Sequence, residues 1–337
     1  MTRTISYRQA INEALDQEMA RDETVLLIGE DVAGGTGSLG EMDAWGGAEG
    51  VTKGLWSKYG DRVMDTPISE SAFIGAAIGA ATCGMRPVVE LMYMDFWGVC
   101  SDQIANQAAK FRYMFGGKAR TPVVIRTMMG AGQRGAAQHS GTYYSIYTHI
   151  PGLKVVVPST PYDAKGLLIT AIRDDDPVIF CEHKVMYDDA GEVPEEPYAI
   201  PLGQANVVRP GSDLTIVALS KMVTFAAEAA EALAADGISA EVIDPRTISP
   251  LDEATILGSV EKTGRLVVVD EANPRCGMAA DISALAAQKA FGALRAPIEL
   301  VTAPHTPVPF NPMLEDLYIP SPARITEAAR RAVGWSR

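Results

Sequence analysis

The chain has 337 residues, 47% of them hydrophobic and 21% charged, and a formal net charge of −13. That length exceeds one ordinary domain and points to two, each with its own core. The acidic balance, without any run of Lys or Arg, excludes a nucleic-acid surface, and no apolar stretch is long enough to span a bilayer.

Tyr7, Ile11, Leu15 and Met19 share one face of a helix, and the VLLIG run that follows reads as a buried strand. Asp65 to Glu70 spell DTPISE: a strand end, a proline-set turn, then a glutamate on the first turn of a helix. That helix, 71–83, is built almost wholly from Ala, Gly and Ile, so Glu70 has few solvating neighbours. A raised carboxyl pKa is expected there, suiting a proton donor or shared-proton partner. The structural alternative is a carboxylate satisfied by the free N–H groups of a helix N-terminus.

Apolar runs of strand length follow at 87–91, 122–125, 153–158 and 177–180, with helical stretches at 98–115 and 161–173. Wholly apolar strands alternating with helices indicate a parallel sheet covered on both faces. Pro, Gly and acidic residues then mark 184–212 as a linker. The alternation restarts with strands at 214–219, 240–244, 265–270 and 297–302, and with helices at 222–235, after Pro250 and at 277–291. The fold class is therefore α/β, two doubly wound domains over 1–183 and 213–337.

Four further segments carry chemical signals. Gly35, Gly37 and Gly40 form a GxGxxG, but Glu30 to Gly34 separate it from its strand and no amphipathic helix follows. A flexible loop is the better reading than a dinucleotide site. The loop after strand 122–125, MGAGQRGAAQHSG, places His139 between Gln138 and Ser140, where it reads as a catalytic or a plain surface histidine. ELMYMDFWG (90–98) sets aromatic and thioether groups at a strand end, as core filling or as a sandwich for a flat heterocycle. Asp174, Asp175 and Asp176 stack at a helix end against the macrodipole, either solvated or holding a cation. Four scattered cysteines without a CxxC pair, and an N-terminus without an apolar signal core, suit reduced thiols and a cytoplasmic location.

DTPISE, ELMYMDF, AAQHS, PGLKVVVPSTPYDAKGLL and RTISPLD occur in this order along the chain. With them the chain resembles the beta subunit of the thiamine-diphosphate-dependent first component of 2-oxo acid dehydrogenase complexes, in the transketolase-like superfamily. The resemblance implies a pyrimidine-binding domain over 1–183 and a transketolase C-terminal-like domain over 213–337. Glu70 would share a proton with the aminopyrimidine nitrogen N1′, activating the thiazolium carbon. Phe96 would stack on the pyrimidine, Ile68 and Met92 would touch it, and Glu30 is a further contact. His139 would stand in the substrate funnel and aid transfer to lipoamide. Carbonyls at Val123, Ala171, Asp174 and Asp176 match a structural potassium site of some relatives.

The family's GDG motif for Mg²⁺ is absent; Gly60 to Arg62 read GDR. The resemblance thus implies that the diphosphate and its Mg²⁺ belong to an alpha subunit, in an α2β2 heterotetramer served by a lipoyl-bearing acyltransferase. The small-residue helix with Ala72, Gly75, Ala76, Gly79 and Ala80 suits that interface, or close packing on its own sheet. The lengthened stretch GGTGSLGEMDAWGGAEGV looks similar to the acetoin-cleaving branch, with pyruvate and branched 2-oxo acids as alternatives. A non-catalytic docking scaffold is the alternative of another class.

Overall fold

The computed structural model describes residues 2–34, 43 and 45–336, so Gly35, Gly37 and Gly40 lie outside the described residues. It comprises two compact units, Met1–Met129 with Ile146–Leu202, and Gly130–Ser145 with Gly203–Arg337.

The chain opens with β1 (Thr2–Ser6) and α1 (Tyr7–Arg21). Ser6 Oγ accepts the Gln9 N–H at 3.2 Å while Gln9 Oε1 accepts the Ser6 N–H at 2.9 Å, a reciprocal cap that sets where α1 begins. Helical periodicity then carries Tyr7, Ile11, Leu15 and Met19 into the core. Next come β2 (Val25–Gly29), α2 (Leu55–Tyr59), β3 (Val63–Asp65), α3 (Glu70–Thr82), β4 (Arg86–Tyr93) and α4 (Phe111–Met114). They are followed by β5 (Val124–Met129), α5 (Tyr144–Thr148), β6 (Lys154–Val156), α6 (Pro161–Arg173), β7 (Val178–His183) and β8 (Ala190–Pro194). The first unit's strands run parallel in the order β6-β7-β5-β4-β2-β3. Fully buried Val, Ile and Phe side chains fill this sheet, each worth about 1.5–3 kcal/mol of burial.

The 98–115 stretch departs from the single helix expected of it. A 3-10 turn (Met94–Gly98), a π-helical segment (Gln103–Ala108) and α4 succeed one another. The Ala109 N–H reaches back five residues to Ile104 O at 3.1 Å. Here the chain lies against α3: a Cβ on Gly75 would stand 3.4 Å from Gln103 Oε1.

The second unit contains β9 (Asn206–Arg209), β10 (Leu214–Ala218), α7 (Met222–Ala235), β11 (Ala240–Asp244), β12 (Thr247–Ser249) and α8 (Glu253–Thr263). It ends with β13 (Leu266–Asp270), α9 (Met278–Lys289), β14 (Glu299–Thr302), α10 (Pro312–Tyr318) and α11 (Pro322–Val333). Its sheet has the order β14-β13-β10-β11-β9, parallel apart from the antiparallel edge strand β9. α7 and α11 pack into one core, α8 and α9 into another, so both sheet faces are covered.

The segment 184–212, expected as a linker, carries regular structure. β8 pairs antiparallel with β1, and β9 closes an edge of the second sheet. Main-chain pairing with distant strands outweighs the local composition. Among the described residues no helix is long and apolar enough to cross a membrane. All four cysteines are free, Cys100 and Cys181 buried, Cys83 and Cys276 exposed.

Candidate active site

Strands β2, β3 and β4 end side by side, Gly29 standing in register with Asp65 and with Glu90. Ligands of open parallel sheets bind beyond these carboxyl ends. A Cβ on Gly29 would lie 2.9 Å from Val32 Cγ1 and 3.0 Å from Glu90 Cβ, so glycine alone permits this close approach. Asp65 Oδ1 accepts the Ala33 N–H at 2.6 Å, and the Thr66 N–H bonds Gly29 O at 3.0 Å. These contacts hold the turn that delivers the chain to Glu70.

Glu70 is the first residue of α3 and is 8% exposed. Among the described residues its carboxylate meets no hydrogen-bond donor. A buried carboxylate left so costs free energy that a bound donor would recover. Phe73, Ile74, Ala77, Ile78 and Ala81 turn into the core, whereas Ala72, Ala76 and Gly79 are exposed. The small-residue face therefore points away from the helix's own sheet.

Glu30, half-buried just past β2, is pushed up to about 6 by burial, then by the charges of Glu70, Asp31 and Glu90. Burial, and then Glu70, also pushes the Cys100 thiol up to about 12. The charges of Glu70 and Glu90 thus both reach Glu30 just past the carboxyl end of β2.

Beneath them lies a buried charge network. Arg126 Nη1 donates to Glu90 Oε2 at 2.8 Å, and its Nε and Nη2 donate to Glu182 at 2.6 and 2.8 Å. Tyr187 Oη donates to Glu182 at 2.7 Å. Burial raises the Glu90 carboxyl despite the neighbouring guanidinium. Sequence reasoning passed over this network. Its signal was a single charge inside each of two apolar strands, Glu90 and Arg126, which pair in register.

The remaining cofactor candidates differ in exposure. Phe96 is half-buried and meets Tyr93 edge-on, ring centroids 5.7 Å apart, while Met92 packs half-buried against the core. Lys184 Nζ lies 5.6 Å over the Tyr93 ring. Ile68 is 82% exposed, free of the chain's own packing.

At the corner expected to hold potassium, the carboxylates are already paired with the chain's own cations. Lys154 Nζ donates to both Asp174 oxygens at 2.7 and 2.8 Å and pairs with Asp176 at 3.2 Å. Arg112 holds Asp176 at 2.6 Å, and Arg86 donates to the Asp174 carbonyl at 2.9 Å. The carbonyls of Val123 and Ala171 accept the N–H groups of Val178 and Asp174 at 3.0 and 3.3 Å. The chain's own cations neutralise these carboxylates, so an added ion would meet their charge. They also answer the macrodipole conflict at the end of α6.

His139 is exposed, in the 130–145 segment that belongs to the second unit. Its N–H bonds Ala136 O at 3.5 Å.

Comparison with known proteins gives a consistent result. Residues 3–189 match the transketolase pyrimidine-binding domain and 203–325 the transketolase C-terminal domain. The acetoin:2,6-dichlorophenolindophenol oxidoreductase subunit beta of Cupriavidus necator is 67% identical, the match covering 99% of this chain and 98% of that one. Its Bacillus subtilis counterpart is 58% identical over the same shares of the two chains. The pyruvate dehydrogenase E1 component subunit beta of Rickettsia felis is 46% identical, covering 98% and 99%. Among solved structures, a split-gene transketolase in an inactive beta4 tetramer superposes with a TM-score of 0.78 at 22% identity, covering 99% of each chain.

Proposed function

The chain belongs to the thiamine-dependent transketolase family, among the beta subunits of acetoin and pyruvate dehydrogenase components, and we propose that it serves an acetoin-cleaving enzyme. Glu70, a buried carboxylate without a donor among the described residues at the carboxyl end of a parallel sheet, carries the thiamine-dependent part of this reading, and the 67% and 58% identities to subunits named for acetoin support the substrate. Thiamine diphosphate, when bound, supplies an activated thiazolium carbon and an electron sink for breaking a bond beside a carbonyl. Glu70 holds the proton at N1′ of its pyrimidine. Phe96, Met92 and the exposed Ile68 offer that ring an apolar surface, and Glu30, pushed up to about 6 by burial and then by the charge of Glu70, is a further contact for it. His139 serves proton movements during acyl transfer to lipoamide.

This chain takes the pyrimidine half alone. It reads Gly60-Asp61-Arg62 in place of a GDG, and Arg62 Nη1 is used on the carbonyls of Met19 and Asp22 at 3.0 and 3.2 Å. An alpha subunit would hold the diphosphate with Mg²⁺, in an α2β2 assembly active only as a whole and served by a lipoyl-bearing acyltransferase. The free thiols of Cys83 and Cys276 at the surface suit a cytoplasmic location.

Pyruvate is the second reading, supported by the relatives named for it, because either substrate would call on the same activated carbon and electron sink. The test is the protein co-expressed with its alpha partner, assayed on acetoin, pyruvate and branched 2-oxo acids. Acetoin is expected to turn over fastest, with Glu70→Ala lowering kcat by about 10²–10⁴. Undiminished turnover in that variant would remove the proposal.

A further inference from the structure

The segment 130–145 folds as part of the second unit, and two buried carboxylates hold it there. Glu271 Oε1 accepts the Ala131 N–H at 2.6 Å. Glu315 Oε1 accepts the Gly132 N–H at 2.7 Å, and its Oε2 accepts the Arg134 N–H at 3.2 Å and Arg134 Nη1 at 2.7 Å. Glu315 is fully buried and Glu271 is 4% exposed. Arg134 Nη1 also reaches Pro312 O at 3.0 Å and Asp316 at 2.8 Å. The Gly130 N–H closes the base of the loop on Gly141 O at 3.4 Å. Arg134 and Ala136 both take left-handed backbone, each at φ 59°, which residues other than glycine keep only under outside restraint.

Glu315 is not needed by the helix that carries it. α10 has its own cap, Asn311 Oδ1 accepting the N–H groups of Met313 and Leu314 at 3.0 and 3.4 Å. A buried carboxylate is an expensive way to pack a helix, and an apolar residue would fill the space at lower cost. What the carboxylate does provide is three charge-assisted bonds to one loop.

We propose that Glu315 and Glu271 are positioning residues, a carboxylate clamp that fixes the backbone leading to His139. The proposal rests on the role given to His139 above. With the clamp closed, residues 131–136 have one backbone path, and His139 is presented from a fixed base. Without it, the glycine-rich segment samples many conformations and the imidazole is rarely in place.

The test uses the assembled enzyme with Glu315→Ala, the milder Glu315→Gln, and Glu271→Gln. Amide exchange across 130–141 is expected to speed up about tenfold or more in Glu315→Ala and less in Glu315→Gln, with β10 and β13 unchanged. Transfer to a lipoyl domain should fall about tenfold while acetoin cleavage read with dichlorophenolindophenol falls less than about threefold. Combining Glu315→Ala with His139→Ala should cost no more than His139→Ala alone. Unchanged exchange in the loop, equal losses with both acceptors, or multiplicative losses in the double variant would each overturn the clamp. Should Glu315→Ala fail to fold, the two glutamine variants decide by the same readouts. Full lipoyl transfer in His139→Ala would overturn the role of His139, leaving the clamp to be judged on exchange alone.

Discussion

Glu30 and Glu70 are electrostatically coupled: after burial, the charge of Glu70 is the largest reason the Glu30 carboxyl is pushed up to about 6. Between 4.5 and about 6, Glu30 therefore holds a proton that an ordinary glutamate would have released, and it does so within reach of the charge of the residue proposed to meet the cofactor.

That coupling predicts a pH effect on stability whose sign is fixed. The folded value lies above the ordinary 4.5, so the folded chain holds the proton more tightly than the unfolded one. The resulting stabilisation is whole below 4.5 and is lost as pH rises through about 6. Glu30→Gln removes the titration. Urea midpoints of the variant, relative to the native chain, should climb across this window and then level off. A difference that stays flat from acid to neutral pH would mean that Glu30 is not perturbed in the fold.

Arg126 offers a larger effect. Burial alone would lower its pKa, but Glu182 and Glu90 outweigh that and keep it charged. Arg126→Leu leaves two buried carboxylates with no cation between them. Removal of one partner from such a network costs about 3–5 kcal/mol. Equilibrium urea unfolding at neutral pH measures it, and a loss below about 1 kcal/mol would show that water or rearrangement replaces the guanidinium.

The parts of the molecule legible in the sequence are those set by neighbours in the chain. α7 and α6 occupy the predicted spans because an apolar period and, in α6, a Thr160 cap with Pro161 at N1 are local signals. DTPISE is legible for the same reason. Strands β8 and β9 are not, because their faces are largely exposed and their definition comes from β1 and β11. α10 and α11 carry local signals of the same kind as α6, the caps Asn311-Pro312 and Ser321-Pro322. The loop of His139 looked like part of the first domain, since the carboxylates that hold it lie 140 and 183 residues further on.

The exposed small-residue face of α3 separates monomer stability from assembly. A Cβ on Gly79 would meet nothing within 4 Å, and the residue lies inside a helix at ordinary φ. Gly79→Ala should therefore stabilise the isolated chain by about 0.5–1 kcal/mol. If the face packs on the alpha subunit, the same methyl is an overpacking error there, costing about 1–3 kcal/mol of association. Thermal unfolding of the single chain and sedimentation of the mixed subunits should move in opposite directions. A variant that assembles normally would place the alpha subunit elsewhere.

The end of α6 makes a prediction about ions. Three successive aspartates at a helix C-terminus are unfavourable on their own, and here Lys154, Arg86, Arg112 and Arg120 neutralise them. Because Lys154 already stands between Asp174 and Asp176, exchanging potassium for choline at constant ionic strength should leave the Tm of the native chain unchanged. Lys154→Ala takes the ammonium from both carboxylates and leaves Asp176 to Arg112 alone, and Tm should fall by about 4–8 °C per kcal/mol lost in a domain of modest size, less in a larger one. Potassium should then restore part of that loss, since the vacated position keeps oxygen ligands from two side chains and nearby carbonyls. A native chain whose Tm depends on potassium would instead mean that the ammonium shares the corner with an ion, and that Arg86 and Arg112 carry less of the compensation than their distances suggest.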